Sequence, residues 1–258
     1  MPVPVPKTYK LFVGGKFPRS ESGRSYQPAA QPALNVARAS RKDLRDAVPA
    51  ARAGLAAWSG SAAYLRGQIL YRVAEMLESR RQGMADELRL CGLSAAQARR
   101  ELDGAIGLLV WHAGLCDKVQ CLLGSQNSVQ GPFFNFSTVE PTGVVGVIAP
   151  AEAPLVGLLA LALPALVGGN AVIALASERA PFAALAFGEV CASGDVPAGA
   201  VNVLSGLRKE LAPWFAAHRD LDGLLVAGEP DAGQCCSVST WRTRAAAGSA
   251  REIRPPVS

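Results

Sequence analysis

No apolar run in this chain can cross a bilayer. The longest, from Pro154 to Gly168, is about fifteen residues and is interrupted by Pro164, against the roughly twenty that a spanning helix needs. It reads as a buried helix, and no membrane partner is expected. The opening MPVPVPK lacks an apolar signal core, which points to the cytoplasm. The six Cys, at 91, 116, 121, 191, 235 and 236, have neither metal-type nor disulfide-framework spacing, and they read as reduced thiols with no metal site. A basic face is also missing. The formal net charge is +5, but the last eighteen residues hold Arg242, Arg244, Arg251 and Arg254 against one Glu. The remaining body stands near +2, which argues against a nucleic-acid partner.

What is present is ample core material: 50% hydrophobic residues over 258 positions, enough for one large domain or two ordinary ones. The segment LFVGGKF places Gly14-Gly15 between short apolar runs, the signal for a hairpin with a two-residue turn. From Ser40 the pattern becomes helical. A Ser cap precedes RKDLRDAVPAARAGLAAW, in which Pro49 is expected to kink or shorten the helix. Leu65, Ile69, Val73 and Leu77 then mark a second helix, and Ala95 to Gln120 a third. His112 on that third helix reads as a packed side chain rather than a ligand. The segment GSQNSVQGPFFNFSTVEPTG alternates enough for one or two exposed strands. Beyond it, the apolar runs GVVGVIA, AVIAL, VNVLSG and GLLVAG alternate with helical stretches starting near Pro154, Pro181 and Lys209. Alternation of this kind predicts an α/β fold, a Rossmann-like doubly wound parallel sheet over 143–233, preceded by the hairpin and the helical segment. That helical segment, 40 to about 120, is expected to pack against the sheet. The final stretch, CCSVSTWRTRAAAGSAREIRPPVS, has no apolar period and is expected to be disordered.

Four stretches in order, PTGVVGVIAPAEAPL, PALVGGNAVIALASERAP, VPAGAVNVLSG and HRDLDGLLVAGEPDAG, resemble the cofactor-binding domain of the aldehyde dehydrogenases. The resemblance covers roughly residues 8–233, with 234–258 as a divergent tail, and the chain reads as stopping before the family's catalytic domain. In detail it is similar to the degenerate second module of the family's two-module member sixteen. The resemblance implies an NAD site at the ends of the strands, with Ile148, Pro150, Leu175, Glu178, Gly228 and Glu229 at cofactor-binding positions. Several of these are substituted. The family grips the adenosine ribose with a Lys and a Glu; here the Glu is kept as Glu178, but the Lys position holds Leu175, which cannot hydrogen-bond a hydroxyl. Glu178 equally reads as a first-turn acid complementing a helix dipole after a Ser177 cap. The Gly-Ser that opens a helix toward the pyrophosphate is here Gly228 followed by Glu229, a carboxylate that opposes an anion.

Glu152 is the third departure. It stands where the family carries an Asn whose amide helps stabilise the oxyanion, and a carboxylate cannot donate there. It reads as a solvated loop acid rather than a general base. The family's nucleophilic Cys and general-base Glu lie well downstream of residue 229. Cys235 and Cys236 come too early to be that nucleophile and have no strand or Gly-rich turn around them, so no catalytic residue is assigned. The substitutions favour a non-catalytic interaction module with no bound cofactor, held by a protein partner or as a homo-oligomer, and prone to aggregate alone. The alternative is an NAD-dependent oxidoreductase that oxidises aldehydes to carboxylic acids within a larger or complemented assembly.

Overall fold

The computed structural model describes residues 7–227. Gly228, Glu229, Cys235, Cys236 and the tail expected to be disordered lie outside the described residues.

Near the N-terminus, Gly14 and Gly15 both adopt positive φ, 58° and 73°, and close the expected tight turn, with Val13 and Lys16 exchanging backbone hydrogen bonds of 2.9 and 3.0 Å. β1 (Ser25–Tyr26) and β2 (Val36–Ala37) form a short antiparallel pair. α1 (Arg41–Ser59) starts at a capping box in which Ser40 and Asp43 serve each other's backbone N–H. It continues through Pro49, so the expected shortening does not occur. The ring removes the N–H that would serve the Arg45 carbonyl, and burial of Leu44, Ala47, Val48 and Ala51 on one face offsets that loss.

α2 (Ala63–Ser79), α3 (Arg81–Leu90) and α4 (Ala95–Leu115) follow, then a short α5 (Val119–Leu123). α3 is an element that the apolar spacing did not separate. The α2 stripe also needs correcting. Val73 and Leu77 are buried, but Leu65 is 45% exposed, and Leu70 and Ala74 complete the inward face. A row of four-residue steps advances about 40° beyond a full turn at each step, so 65, 69, 73 and 77 cannot all share one face. Where one or two exposed strands are expected, β3 (Ser125–Asn127) and β4 (Asn135–Ser137) are two, exposed and paired antiparallel.

The second half alternates as expected: β5 (Val144–Ile148), α6 (Val156–Val167), β6 (Ala171–Leu175), α7 (Phe182–Ser193), β7 (Val201–Leu204), α8 (Arg208–Ala217) and β8 (Gly223–Val226). The four strands are parallel, in the order β7-β6-β5-β8. Each is apolar on both faces because each face is covered. Val144, Ile148, Ile173, Leu175 and Leu204 belong to the core beneath α1 and α8, whereas Val145, Val147, Val172, Ala174 and Val203 belong to the core beneath α6 and α7. Of the early helices only α1 lies directly on the sheet; α2, α3 and α4 form a further layer on α6 and α7. The expectation that the whole 40–120 segment packs on the sheet is corrected accordingly: its stripes are buried by other helices. The hairpin segment closes the β7 edge, where Phe12 and Val203 exchange hydrogen bonds of 2.9 and 2.7 Å in antiparallel sense.

Candidate functional site at the carboxyl ends of the strands

The register aligns the last residues of all four strands in one row, Leu204–Leu175–Ile148–Val226. Above this row, on the α8 side, lies a cavity of about 830 Å³ lined by Ile148, Leu175, Glu152, Glu178, Arg208 and Lys209, among others. A crevice at this edge is where open α/β sheets bind ligands. The structure therefore brings together four positions that the sequence singled out: Ile148, Leu175, Glu178 and Glu152. Pro150 takes a neighbouring role, its ring seated against Gly157 in the first turn of α6, where a Cβ would collide with it.

The side chains that line the cavity are partly apolar and partly committed within the fold. Leu175 is 1% exposed and presents only methyl groups. Glu178 is spent within the fold: its carboxylate accepts the backbone N–H of Arg208, the first residue of α8, at 2.8 Å. The reading of Glu178 as a first-turn acid of the following helix is thereby corrected. α7 begins only at Phe182, and the Ser177 hydroxyl donates to the Ala151 carbonyl at 3.2 Å instead of capping. Glu178 complements the dipole of α8, thirty residues away.

Glu152 is exposed at the rim of this cavity and of a second, of about 700 Å³, which lies towards α4. Its loop contains Ala153 in the left-handed region at φ 51°. The loop is held by a residue that sequence reasoning missed. Glu101, on α4, accepts the N–H groups of Leu155 at 2.9 Å and Val156 at 3.2 Å. Arg208 was missed as well. Its guanidinium donates to the carbonyl of Ala227 at 2.8 Å and to that of Ala149 at 3.5 Å, tying together the ends of β8 and β5. Each helix that starts at the cavity, α6 and α8, thus has the N–H of its first residue held by a carboxylate of the chain itself. The one local signal for this was a charged pair, Arg208-Lys209, immediately after an apolar strand and turn.

Elsewhere, His112 is packed as expected: it is buried, with Nδ1 2.8 Å from the Leu108 carbonyl oxygen, and desolvation lowers its pKa despite that contact. Cys91, Cys116, Cys121 and Cys191 are free, and burial pushes the Cys91 thiol up to about 12 and that of Cys116 up to about 11. Among the described residues no group of three or more His, Cys, Asp or Glu comes together as a metal site, and no helix is long and apolar enough to cross a membrane.

Comparison with known proteins accords with this architecture. The profile of the aldehyde dehydrogenase family matches residues 18–241. Cytosolic aldehyde dehydrogenase 1 of Elephantulus edwardii is 31% identical over 235 residues, covering 87% of this chain and 46% of its own length. Retinal dehydrogenase 2 of Homo sapiens is 30% identical over 258 residues, covering 94% and 49%. Among solved structures, PnpE of Pseudomonas sp. WBC-3 superposes with a TM-score of 0.80 at 26% identity, covering 85% of this chain and 46% of its own. The NAD+ complex of the Bacillus cereus aldehyde dehydrogenase superposes with a TM-score of 0.80 at 25% identity, covering 86% and 46%. The chain spans about half the length of these relatives. It belongs to the aldehyde dehydrogenase family.

Proposed function

We propose that residues 8–233 form an aldehyde dehydrogenase-family module that does not hold NAD, is catalytically inactive as this chain, and serves in the cytoplasm as an interaction module. In this it is similar to the degenerate second module of the family's two-module member sixteen. The observation that carries this reading is the state of the ribose grip: the Lys position is Leu175, buried and apolar, and the retained Glu178 is engaged by the Arg208 N–H. A ribose would meet methyl groups on one side and a committed carboxylate on the other, and leaving its hydroxyls unpaired forfeits about 1–3 kcal/mol each. Glu152 at the oxyanion position and Glu229 at the pyrophosphate position oppose the remaining charges of the substrate and cofactor.

The cavity of about 830 Å³ that persists at the strand ends, with Lys209 on its wall, supports the second reading, an NAD-dependent oxidoreductase of aldehydes that works in a complemented assembly. Calorimetric titration with NAD separates the two. The natural chain is expected to give no binding heat, and Leu175→Lys combined with Glu229→Ser a measurable one, whereas Glu152→Asn adds nothing to cofactor affinity. Micromolar binding by the natural chain would replace the module reading with the oxidoreductase one.

A further inference from the structure

Between α2 and α4, in the outer layer of helices, runs a groove of about 790 Å³. Its walls are the exposed apolar side chains Tyr64, Leu65, Tyr71 and Val110. Its floor is low because the two helices touch: a Cβ on Gly67 would stand 2.7 Å from the Ala113 carbonyl oxygen. Gly114, next along α4, leaves open space where a side chain would stand. Contiguous exposed apolar surface of this kind marks an interaction site.

Charge decides what fits there. Of the five charged residues that line the groove, Arg72 pairs with Glu75 at 3.3 Å and Lys118 with Asp117 at 2.7 Å, so four cancel. The fifth, Asp195, is exposed and forms no ion pair among the described residues. It follows α7, whose last turn has no basic residue, so the negative end of that helix dipole adds to its carboxylate. Gly194 packs on Val73, which sets this anionic spot beside the C-terminal half of α2. The groove therefore asks for an apolar body with one cation at a fixed place.

Shape decides how large that body is. Small-molecule sites enclose about 70–90% of their ligand, whereas walls as open as Tyr64 and Tyr71, 67% and 51% exposed, leave one side uncovered. The α2 wall runs from Tyr64 to Glu75, about 16 Å at 1.5 Å per residue, which is three turns of helix. We propose that the groove docks an amphipathic helix of another protein, apolar along one stripe and carrying an Arg or Lys where the stripe meets Asp195. Such a helix lays its i, i+3, i+4 and i+7 side chains between α2 and α4. The proposal deepens the interaction-module reading by stating the chemistry of the partner.

Fluorescence anisotropy on the full chain tests this with dye-labelled peptides of Ala, Gln and a Leu stripe, each about eighteen residues and so long enough to be helical alone. They differ in the residue that ends the stripe, which is Arg, Gln or Glu, and each is made with that residue at either end. The natural chain should bind the better Arg peptide about fivefold more tightly than its Gln counterpart, the size of a surface ion pair, and at least tenfold more tightly than the Glu one. Asp195→Asn should bring the three within about twofold, because it removes the charge while Asn tolerates the left-handed backbone at φ 61°. Gly114→Trp, which fills the groove, should weaken all of them at least tenfold. Both positions are exposed, and a circular-dichroism melt matching the natural chain's establishes that the variants fold. A natural chain that binds no peptide, or binds the Arg and Glu peptides alike, overturns the proposal. So does undiminished binding to Gly114→Trp, which places the peptide elsewhere, and so does a natural chain that self-associates until Gly114→Trp frees the monomer, which gives the groove to a second copy. NAD titration tests the module reading separately: a chain that ignores both peptides and NAD removes the docking alone, and a chain that binds the Arg peptide and NAD removes the module reading alone.

Discussion

The Glu178 carboxylate stands on the backbone N–H of Arg208 at 2.8 Å, while the Arg208 side chain reaches across the strand ends to the carbonyl of Ala227. One residue thus draws a loop acid onto the start of α8 and fastens two strands. Glu178→Ala should lower stability by about 0.5–2 kcal/mol, the range for loss of an N-terminal cap, and Glu178→Gln by less, because the amide oxygen still accepts. Urea denaturation of the three proteins measures this. Equal stability of all three would mean that water serves the α8 start as well as Glu178 does.

Two glycine substitutions should act in opposite directions. A Cβ on Gly54, in α1, would run into the backbone of Gly199 and Ala200, where the turn before β7 lies flush on the helix. Gly54→Ala should destabilise by about 3 kcal/mol or more, the upper end for overpacking, because the obstacle is backbone. Gly83, in α3, faces open space at helical φ. Gly83→Ala should stabilise by about 1 kcal/mol through helix propensity alone. Thermal melts of both variants decide the signs.

His112 makes stability sensitive to acid. Desolvation holds its folded pKa below that of the unfolded chain, so in the window between the two values the unfolded state binds more protons. Its contribution is complete above the unfolded value, near 6.5, and is lost as the pH falls towards the folded one. His112→Gln, which cannot protonate, should flatten the stability profile between about pH 7 and pH 5. Unfolding midpoints of the two proteins across that window measure the difference, and parallel profiles would exclude His112 as the cause.

Thiol reactivity should follow burial. Cys121 is exposed, whereas Cys91, Cys116 and Cys191 are buried with raised pKa values that suppress the thiolate. Iodoacetamide at pH 8 should modify Cys121 within the native protein and leave Cys91, Cys116 and Cys191 until denaturant is added. Peptide mapping by mass spectrometry checks this, and early labelling of Cys91 would show that the α3–α7 contact opens.

The interactions that sequence alone determined are those closed within a few residues or repeated along a strand. Ser40 caps α1 through Asp43, three positions on; Gly14-Gly15 makes a turn only positive φ permits; and the four apolar runs become parallel strands because both faces of each are covered. Tertiary structure decided the rest. Glu101 reaches Leu155 across 54 residues and Glu178 reaches Arg208 across 30, and neither pairing exists until α4 lies on α6 and the strands take the order β7-β6-β5-β8. The inward face of α2 was likewise left open by its sequence, since Leu65 and Leu70 are equally apolar and only packing against α4 and α7 selects Leu70. Local geometry is written in spacing, whereas a carboxylate finds its partner only after the chain has brought distant backbone donors to it.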